Sequence, residues 1–265
     1  MKIGFKRHTT GNLVYYTIPS FDNTGVVKHC FTTRLGGVST GETSSLNLGF
    51  NKNDMHENVL ENYSIIGGAL GIDPQKLVFS NQVHKDVVRI ITSADCGKGI
   101  TRQNDIVGVD ALVCGESGVP FITFYADCVP LFFLDPEKKV TALTHSGWRS
   151  TVKNIAANTV AEMSNEFGCK PSDLLVGIGP SIGSCHFEVD AEVAVVFSDA
   201  YKRKVGDKYH IDLWSMILKQ LTNAGVKDGN ITLAGVCTYC NSGEFFSHRA
   251  DNGKTGSLAA LMEIR

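Results

Sequence analysis

The amino-acid sequence predicts an α/β or α+β layered fold, in which central sheets are covered by helices. Three observations favour this fold class. Apolar runs of strand length are concentrated between residues 77 and 146. Several of those runs are apolar on both faces, and stretches with the helical period precede and follow them.

The first elements are a strand and a long loop. Residues 25–34 (GVVKHCFTTR) predict a strand, and residues 36–53 form a loop rich in Gly, Ser and Asn. Long ordered loops inside compact domains are often functional, so we expect this one to contribute to a site.

A helix is predicted after the loop. Asp54 and Glu57 resemble a capping box, which favours a helix start at this point. The apolar residues that follow recur at helical spacing: Val59, Tyr63, Ile66 and Leu70. Gly71 and Pro74 are expected to end the helix.

The remaining elements complete the layers. The dense central region predicts strands over 77–83, 86–93, 106–114, 119–126, 131–135 and 139–146. Helices are expected over about 151–167, 191–203 and 213–224, the last behind Asp212 as N-cap. Further strands are expected over 174–179, 231–237, 244–248 and 258–264.

Composition excludes several classes of protein. The 265 residues are 43% hydrophobic and 20% charged, with a formal charge of −2, which is typical of a folded domain and argues against disorder. The near-neutral charge argues against a nucleic-acid-binding protein, and no apolar run is long enough for a membrane span. Without a linker or an export signal, we expect one domain over residues 1–265, cytoplasmic, with its eight cysteines reduced.

Three metal-binding or nucleophilic side chains stand at the ends of predicted strands: His84, Cys128 and His145. Strand ends are where side chains of a layered fold converge on a ligand. Two imidazoles and one thiolate form a plausible catalytic zinc site, with water in the fourth position. From the residues alone, an inert buried thiol and structurally satisfied histidines remain the alternative.

Eight short motifs occur in order over nearly the whole chain: FTTRLGGVS…SLNLG, NQVHKDVV, VDALVC, ADCVPLFFLD, THSGWRST, GIGPSIGSCHFEV, CT at 237–238 and FFSHRADNGKTG. Together they resemble the laccase-domain or polyphenol-oxidase family of YfiH type, which is understood to consist of purine nucleoside phosphorylases. The resemblance implies an αββα layered domain with mixed sheets. It also implies phosphorolysis of adenosine, inosine, guanosine and methylthioadenosine, and hydrolytic deamination of adenosine.

The resemblance also assigns a zinc site. It implies zinc ligation by His84 in QVH, Cys128 in ADC and His145 in HSGWR, with copper as the less favoured metal. Deamination additionally needs a carboxylate that moves protons, for which Asp127 and Asp110 are the candidates. The plainer alternatives are that Asp127 orients a histidine and that Asp110 is a turn or sheet-edge carboxylate.

Phosphorolysis needs positive charge around phosphate, and arginine suits that role best. Arg34, Arg149 and Arg249 lie in motif segments, and Asn47 adds a possible donor. A solvated surface ion pair is the ordinary alternative for each arginine.

The sequence also departs from the family pattern. Ser150 replaces the glycine of GWRG, Phe187 replaces a tyrosine, and His248, Ala250 and Ser257 replace residues of FFSYRRD…TGR. Two arginines near the C-terminus are thereby lost, which puts in doubt any phosphate or partner contact that they make in the family. The three zinc-ligand positions are intact.

Two further thiol motifs are present. Cys237 and Cys240 form a CxxC motif, which is found in redox pairs and in structural zinc sites, and Cys185 precedes His186. No second CxxC is present, and we expect ordinary buried thiols at both motifs.

Three other functions remain open at this stage. A metal-free cysteine hydrolase would use His145 to activate Cys128 towards an amide or acyl substrate. A non-enzymatic binding module is the second alternative. A multi-copper oxidase is the least favoured, because such centres need more histidines and often a methionine.

Overall fold

Two large β-sheets lie face to face at the centre of the protein, in a computed structural model that describes residues 1–265. Sheet I has seven strands in the order β1-β15-β11-β9-β10-β7-β6 and sheet II has six in the order β2-β3-β4-β16-β8-β5. These strands are β1 Lys2–Ile3, β2 Lys6–Thr10, β3 Leu13–Thr17, β4 Val27–Thr32, β5 Val78–Phe79, β6 Val88–Ile91, β7 Ala111–Cys114, β8 Phe121–Tyr125, β9 Val129–Asp135, β10 Val140–Ser146, β11 Leu175–Ile178, β15 Ile231–Leu233 and β16 Leu258–Ile264.

A third, small sheet lies outside the two large ones. It has the order β12-β14-β13, with β12 Glu188–Val189, β13 Lys202–Val205 and β14 Lys208–Ile211. Six α-helices complete the fold: α1 Pro19–Asp22, α2 His56–Leu70, α3 Trp148–Val152, α4 Ile155–Phe167, α5 Ala191–Ala194 and α6 Leu213–Asn223.

Side chains that alternate between the two faces of each strand place the sheets between separate hydrophobic cores. In β7, Leu112 and Cys114 belong to the core between the two large sheets, while Val113 belongs to the core beneath the helices α4 and α6. In β16, Leu258, Ala260 and Met262 face the inter-sheet core, whereas Leu261 packs towards α2. Because successive side chains of a strand point to opposite faces, runs that are apolar throughout are buried on both sides.

The helices cover the outer faces of the two sheets. From α2, Val59, Tyr63 and Ile66 join the core on the outer side of sheet II. From α4 and α6, Val160, Met163, Ile217 and Leu221 join the core on the outer side of sheet I. The order of layers is therefore α2, sheet II, sheet I, then α4 with α6, which confirms the predicted mixed α/β fold with αββα layers.

Several local predictions were wrong in informative ways. The helix expected over 191–203 ends at Ala194, and the chain then forms the β13–β14 hairpin. Residues 244–248 form turns and irregular backbone rather than a strand, although Phe245 and Phe246 are buried in the inter-sheet core as a strand's side chains would be. The helix expected over 151–167 is divided into α3 and α4 at Asn154, whose φ of 61° is left-handed.

The ends of the helices test the capping predictions. Gly71 ends α2 with a left-handed φ of 64°, as expected. Asp212 caps α6 through a hydrogen bond from the Ser215 backbone N–H, also as expected. The capping box at Asp54 is not formed: the helix begins at His56, and the Asp54 carboxylate accepts from the backbone N–H of Met55 instead. No helix is long and apolar enough to cross a membrane.

Candidate active site and metal cluster

A pocket of about 660 Å³ brings together residues from distant parts of the chain. Its wall contains the predicted site residues His84, Asp127, Cys128, His145 and Arg249. Its volume is in the range of small-molecule binding sites.

The three predicted zinc-ligand side chains converge in this pocket. The ligand atoms of His84, Cys128 and His145 all lie within 4.8 Å of one another. The Cys128 Sγ atom is 3.8 Å from Nε2 of His84, and the two imidazole rings meet edge to face with centroids 4.8 Å apart. Cys128 immediately precedes β9 and His145 lies near the end of β10, two strands paired in register, so the sheet itself holds these two residues together.

Asp110 fixes the position of both histidines. Its carboxylate, fully buried before β7, accepts a hydrogen bond from Nδ1 of His145 at 2.8 Å. It also accepts from the backbone N–H groups of Val83, His84 and Lys85, at 3.1, 3.0 and 2.8 Å. Bonding at Nδ1 leaves Nε2 of His145 free for a ligand, the usual arrangement at metal-binding histidines. With four donors on its two oxygens, Asp110 positions the cluster rather than exchanging protons with a ligand in the pocket.

The side chains of Cys128 and His145 stabilise each other's charged forms. Burial alone would raise the pKa of the Cys128 thiol, but the charge of His145 and hydrogen bonds from both histidines lower it to about 6. Burial opposes protonation of His145, yet the Cys128 thiolate and the Asp110 carboxylate raise its pKa to about 9. Without a metal the pair is therefore a thiolate beside an imidazolium.

The backbone around the cluster is unusual. His84 and Asp127 have positive φ values of 59° and 87°, which non-glycine residues adopt rarely and mostly at functional sites. Gly147 approaches the cluster closely: a Cβ atom there would lie 2.6 Å from Cδ2 of His84 and 3.3 Å from the Cys128 sulfur. Only glycine fits this position without displacing a ligand.

Asp127 connects three segments of the pocket wall. Its carboxylate accepts hydrogen bonds from the hydroxyl of Thr238 and the backbone N–H of Arg249, both at 2.7 Å. Its backbone carbonyl accepts from the N–H of Ile182 at 2.9 Å. No histidine contacts its carboxylate, so the plainer sequence interpretation, in which Asp127 orients a histidine, was wrong. Its own catalytic role stays a prediction.

Of the four predicted phosphate-binding residues, only Arg249 lines the pocket. The Arg34 guanidinium donates to the backbone carbonyls of Ser44 and Ser242, which fastens the long loop instead. Arg149 is exposed and stacks on the Trp148 ring at 4.2 Å. Asn47 is fully buried, where its side chain bonds Asp54, Gly49 and Ser257. The structure thus does not bring these three to the pocket, because their donors are already engaged or point elsewhere.

The pocket also contains residues that the sequence did not reveal. Lys52, from the long loop, lines it with no carboxylate in ion-pair range, and burial lowers the pKa of its ammonium group. Aromatic rings line much of the remaining wall: Phe50, Phe79, Phe124, Trp148 and Phe187. The length and composition of the loop over 36–53 were the only signal for Lys52, and nothing in the pattern singled out that residue.

The positions that depart from the family pattern lie in or near the pocket. Phe187, His248 and Ser257 line it. Ser150 is buried, and its hydroxyl donates to the backbone carbonyls of Gly147 and His145. These are local substitutions that leave the three converging ligand atoms in place.

The thiols expected to be buried at the two remaining motifs form a second cluster. Cys185 and Cys240 are exposed and only Cys237 is buried, so the burial prediction was wrong for the first two. Their ligand atoms and that of His186 again lie within 4.8 Å of one another. The separation of 55 residues between Cys185 and Cys240 concealed this arrangement from sequence reasoning.

Comparison with known proteins identifies relatives over most of the chain. The sequence model of the family described as multi-copper polyphenol oxidoreductase laccase matches residues 28–265. Purine nucleoside phosphorylase YlmD of Bacillus subtilis is 35% identical over 243 residues, which cover 89% of this chain and 87% of that protein. A purine nucleoside phosphorylase of Bacteroides thetaiotaomicron is 33% identical, with 95% and 96% covered. The crystal structure of YlmD from Geobacillus stearothermophilus superposes with a TM-score of 0.91 at 31% identity, covering 98% of each chain.

Proposed function

The chain belongs to the multi-copper polyphenol oxidoreductase laccase family, and from that premise we propose that it is a zinc-dependent purine nucleoside phosphorylase. Its substrates would be inorganic phosphate and adenosine, inosine, guanosine or S-methyl-5′-thioadenosine, and its products the free base and the sugar 1-phosphate. The observation that carries the proposal is the convergence of His84, Cys128 and His145 in a pocket of nucleoside size.

The pocket wall suits a purine nucleoside. Rings such as Phe50, Phe124 and Phe187 offer flat apolar surfaces on which a base can stack. The side chains of Asn51, Asn104 and Ser257 add polar groups that suit the ribose hydroxyls and the ring nitrogens.

In this proposal, Lys52 and Arg249 bind the phosphate. In phosphorolysis a phosphate oxygen forms a bond to C1′ while the bond from C1′ to the purine nitrogen breaks, and the departing base takes up a proton. Two cationic side chains on the pocket wall would hold the phosphate against the sugar. Arg249 would do so through the guanidinium N–H groups other than those that bond the His186 and Glu188 carbonyls. Lys52 has no competing carboxylate, so its ammonium group is available to an anion.

The donor set fits zinc better than a copper oxidase centre. Two imidazoles and one thiolate match a three-ligand zinc site with a free position, whereas multi-copper sites need more histidines. Bound there, zinc would supply a Lewis acid that lowers the pKa of a water molecule. The chain's own part is to hold Nε2 of both histidines and the Cys128 sulfur around one point, through Asp110 and Gly147.

We propose adenosine deamination as a second activity of the same pocket. This reaction needs a carboxylate that moves protons between water and the base. Asp127 is the candidate, because it lines the pocket while the Asp110 oxygens are occupied by four donors. Asp127→Asn is a suitable variant, since asparagine tolerates the left-handed backbone at this position.

One observation favours a metal-free cysteine hydrolase as the alternative. The lowered pKa of Cys128 and the raised pKa of His145 describe an activated nucleophile and its general acid or base. The same pair serves as a metal ligand or as a nucleophile, depending on whether metal is bound.

We also propose a single domain over residues 1–265 and a cytoplasmic location. None of the eight cysteines is joined in a disulfide, which is characteristic of a reducing compartment.

Chromatography of adenosine incubated with zinc-loaded protein, with and without phosphate, tests the function. We expect adenine only in the presence of phosphate, and inosine in both incubations. The His84→Ala variant should lose both products, while the control His8→Ala, on β2 and away from the pocket, should keep them.

Unchanged adenosine in every incubation would overturn the proposal. Rapid stoichiometric alkylation of Cys128, together with chelator-insensitive hydrolysis of an amide or ester, would then favour the hydrolase.

A further inference from the structure

A second group of metal-binding side chains lies outside the proposed catalytic cluster. Cys185 and His186 come from the loop after β11, and Cys237 and Cys240 from the turn after β15. The two segments run alongside each other: the Ser181 N–H donates to the Val236 carbonyl and the Thr238 N–H to the Ser181 carbonyl, both at 3.1 Å. Backbone pairing therefore brings the four side chains to one place.

Three of the distances between the four ligand atoms lie near those of a tetrahedral zinc site. Zinc bonds of about 2.3 Å to sulfur and about 2.0 Å to nitrogen place tetrahedral ligand atoms roughly 3.5–3.8 Å apart. The Cys185 and Cys240 sulfurs are 3.6 Å apart. Nδ1 of His186 is 3.2 Å from the Cys240 sulfur and 4.0 Å from the Cys237 sulfur. The remaining pairs of ligand atoms lie within 4.8 Å of one another, so the four side chains surround one point.

The surroundings of the ligands are those of metal-binding thiolates. The Gly183 backbone N–H donates to the Cys237 sulfur at 3.3 Å. The Tyr239 ring stacks on the His186 ring, with centroids 3.9 Å apart and planes inclined by 18°. Such contacts fix the orientation of ligands around a metal.

A redox disulfide explains the arrangement less well. Redox CxxC pairs stand at the start of a helix that activates one thiol, whereas Cys237 and Cys240 lie in a turn. A redox pair would also leave Cys185 and His186 without a role.

We propose that Cys185, His186, Cys237 and Cys240 bind a structural zinc ion. Three thiolates and one imidazole fill all four tetrahedral positions, so this site is closed to substrate. The ion would cross-link two loops that are otherwise joined by few backbone hydrogen bonds.

The cross-linked loops form part of the pocket wall. Ile182 and Phe187, on either side of Cys185 and His186, both line the pocket. Thr238, between the two cysteines of the CxxC motif, donates to Asp127. The Arg249 guanidinium donates to the backbone carbonyls of His186 and Glu188, at 3.3 and 3.0 Å. Zinc at this site would thus fix the backbone on which Asp127, Phe187 and Arg249 depend.

Zinc content of purified protein tests the proposal. We expect two equivalents per wild-type chain, one in Cys240→Ser and one in Cys128→Ala. The matched control Cys96→Ser, a half-buried thiol outside both clusters, should keep two. Loss of the structural ion should also lower the Tm of Cys240→Ser by roughly 5 °C or more.

Cobalt substitution provides a readout that does not require a folded variant. Wild-type protein loaded with two equivalents of Co²⁺ should show strong thiolate-to-metal absorption, most of it from the three-thiolate site. The proposal is overturned if wild type binds one equivalent that Cys128→Ala loses completely. It is also overturned if the freshly purified chain contains a Cys185–Cys240 disulfide and no metal at this site. Both results leave the proposed phosphorylase activity untouched, because that activity is measured separately.

Discussion

The cluster of His84, Cys128 and His145 lines a pocket of about 660 Å³ and offers three ligands, whereas the cluster of Cys185, His186, Cys237 and Cys240 lies at the surface and offers four. With zinc bound as proposed, two neutral imidazoles and one thiolate in the first cluster would leave a tetrahedral position for water or substrate. In the second cluster, three thiolates and one imidazole would fill all four positions. In this assignment, the number and type of ligands separate a reactive site from a structural one.

The residues that hold the ligand side chains in place also differ between the two clusters. The pocket cluster is held by a buried carboxylate, Asp110, and by strained backbone at His84. The surface cluster is held by the paired loops and by the Tyr239 ring. Strain and buried charge are costly, and they are found where chemistry is proposed.

The largest expected difference is in activity. Cys128→Ala removes one ligand of the proposed catalytic zinc and should lower kcat/KM for phosphorolysis on the order of 10³-fold, which corresponds to about 4 kcal/mol. Cys240→Ser should stay within about 10-fold of wild type at temperatures where it is folded. Initial rates with adenosine and phosphate measure both; equal losses in the two variants would remove the distinction between the clusters.

In metal-free protein, the thiols of the two clusters should be alkylated at different rates. The pKa of Cys128 is lowered to about 6, so at pH 7 it is mostly thiolate. Partial desolvation of the Cys185 sulfur, together with the thiols of Cys237 and Cys240, raises its pKa to about 12, so it is protonated although the residue as a whole is exposed. Allowing for the weaker nucleophilicity of a low-pKa thiolate, Cys128 should be alkylated about 100-fold faster.

Peptide mass spectrometry after iodoacetamide treatment between pH 5 and 9 measures these rates. The Cys128 rate should rise through pH 6 and level off above pH 7, because the thiolate is the reacting form. The Cys185 rate should still be rising at pH 9. A faster reaction at Cys185 than at Cys128 at pH 7 would contradict the charge assignment.

Asp110→Asn should weaken only the pocket metal. An amide replaces one acceptor oxygen by a donor, so it cannot accept from His145 and from the backbone N–H groups of Val83, His84 and Lys85 together. Zinc affinity at the pocket should fall about 10–100-fold, as is typical for the partners of metal-binding histidines. Competition with a chromophoric chelator measures it, with the surface site as internal reference; unchanged affinity would show that Asp110 does not orient the ligands.

The smallest effect is expected from the Tyr239 ring. Tyr239→Ala removes the ring stacked on His186, a contact worth about 1 kcal/mol, and should weaken zinc at the surface cluster about fivefold. Tyr239→Phe keeps the stacked ring and is the matched control. If the alanine and phenylalanine variants bind zinc alike, stacking does not support the site.

Most of the layered fold was predictable from local pattern. The apolar run of β9, the β-branched and apolar residues of β10 and the helical period of α2 indicate their elements directly. The β13–β14 hairpin was missed because its strands, KRKV and KYHI, are short and mainly polar, so neither resembles a buried strand. The turn at Phe245 and Phe246 was mistaken for a strand because burial in the inter-sheet core produces the same apolar signature.

The positions of the site residues were predictable for residues at strand ends and unpredictable for residues placed by loops and tertiary contacts. Cys128 immediately precedes β9 and His145 lies in β10, which pairs with β9, so their position at strand ends led to the correct expectation that they lie together. Arg34 and Arg149 depend on loop paths and stacking partners that no local pattern records. Lys52 and the contact of Cys185 with Cys240 depend on tertiary structure in the same way.

X-ray diffraction from zinc-loaded crystals, with data on both sides of the zinc absorption edge, tests the central claim most directly. Two anomalous peaks per chain are predicted, one among His84, Cys128 and His145 and one among Cys185, His186, Cys237 and Cys240. The first should show three protein ligands and the second four. A single peak, or a first site closed by a fourth protein ligand, would contradict the assignment of one reactive and one structural centre.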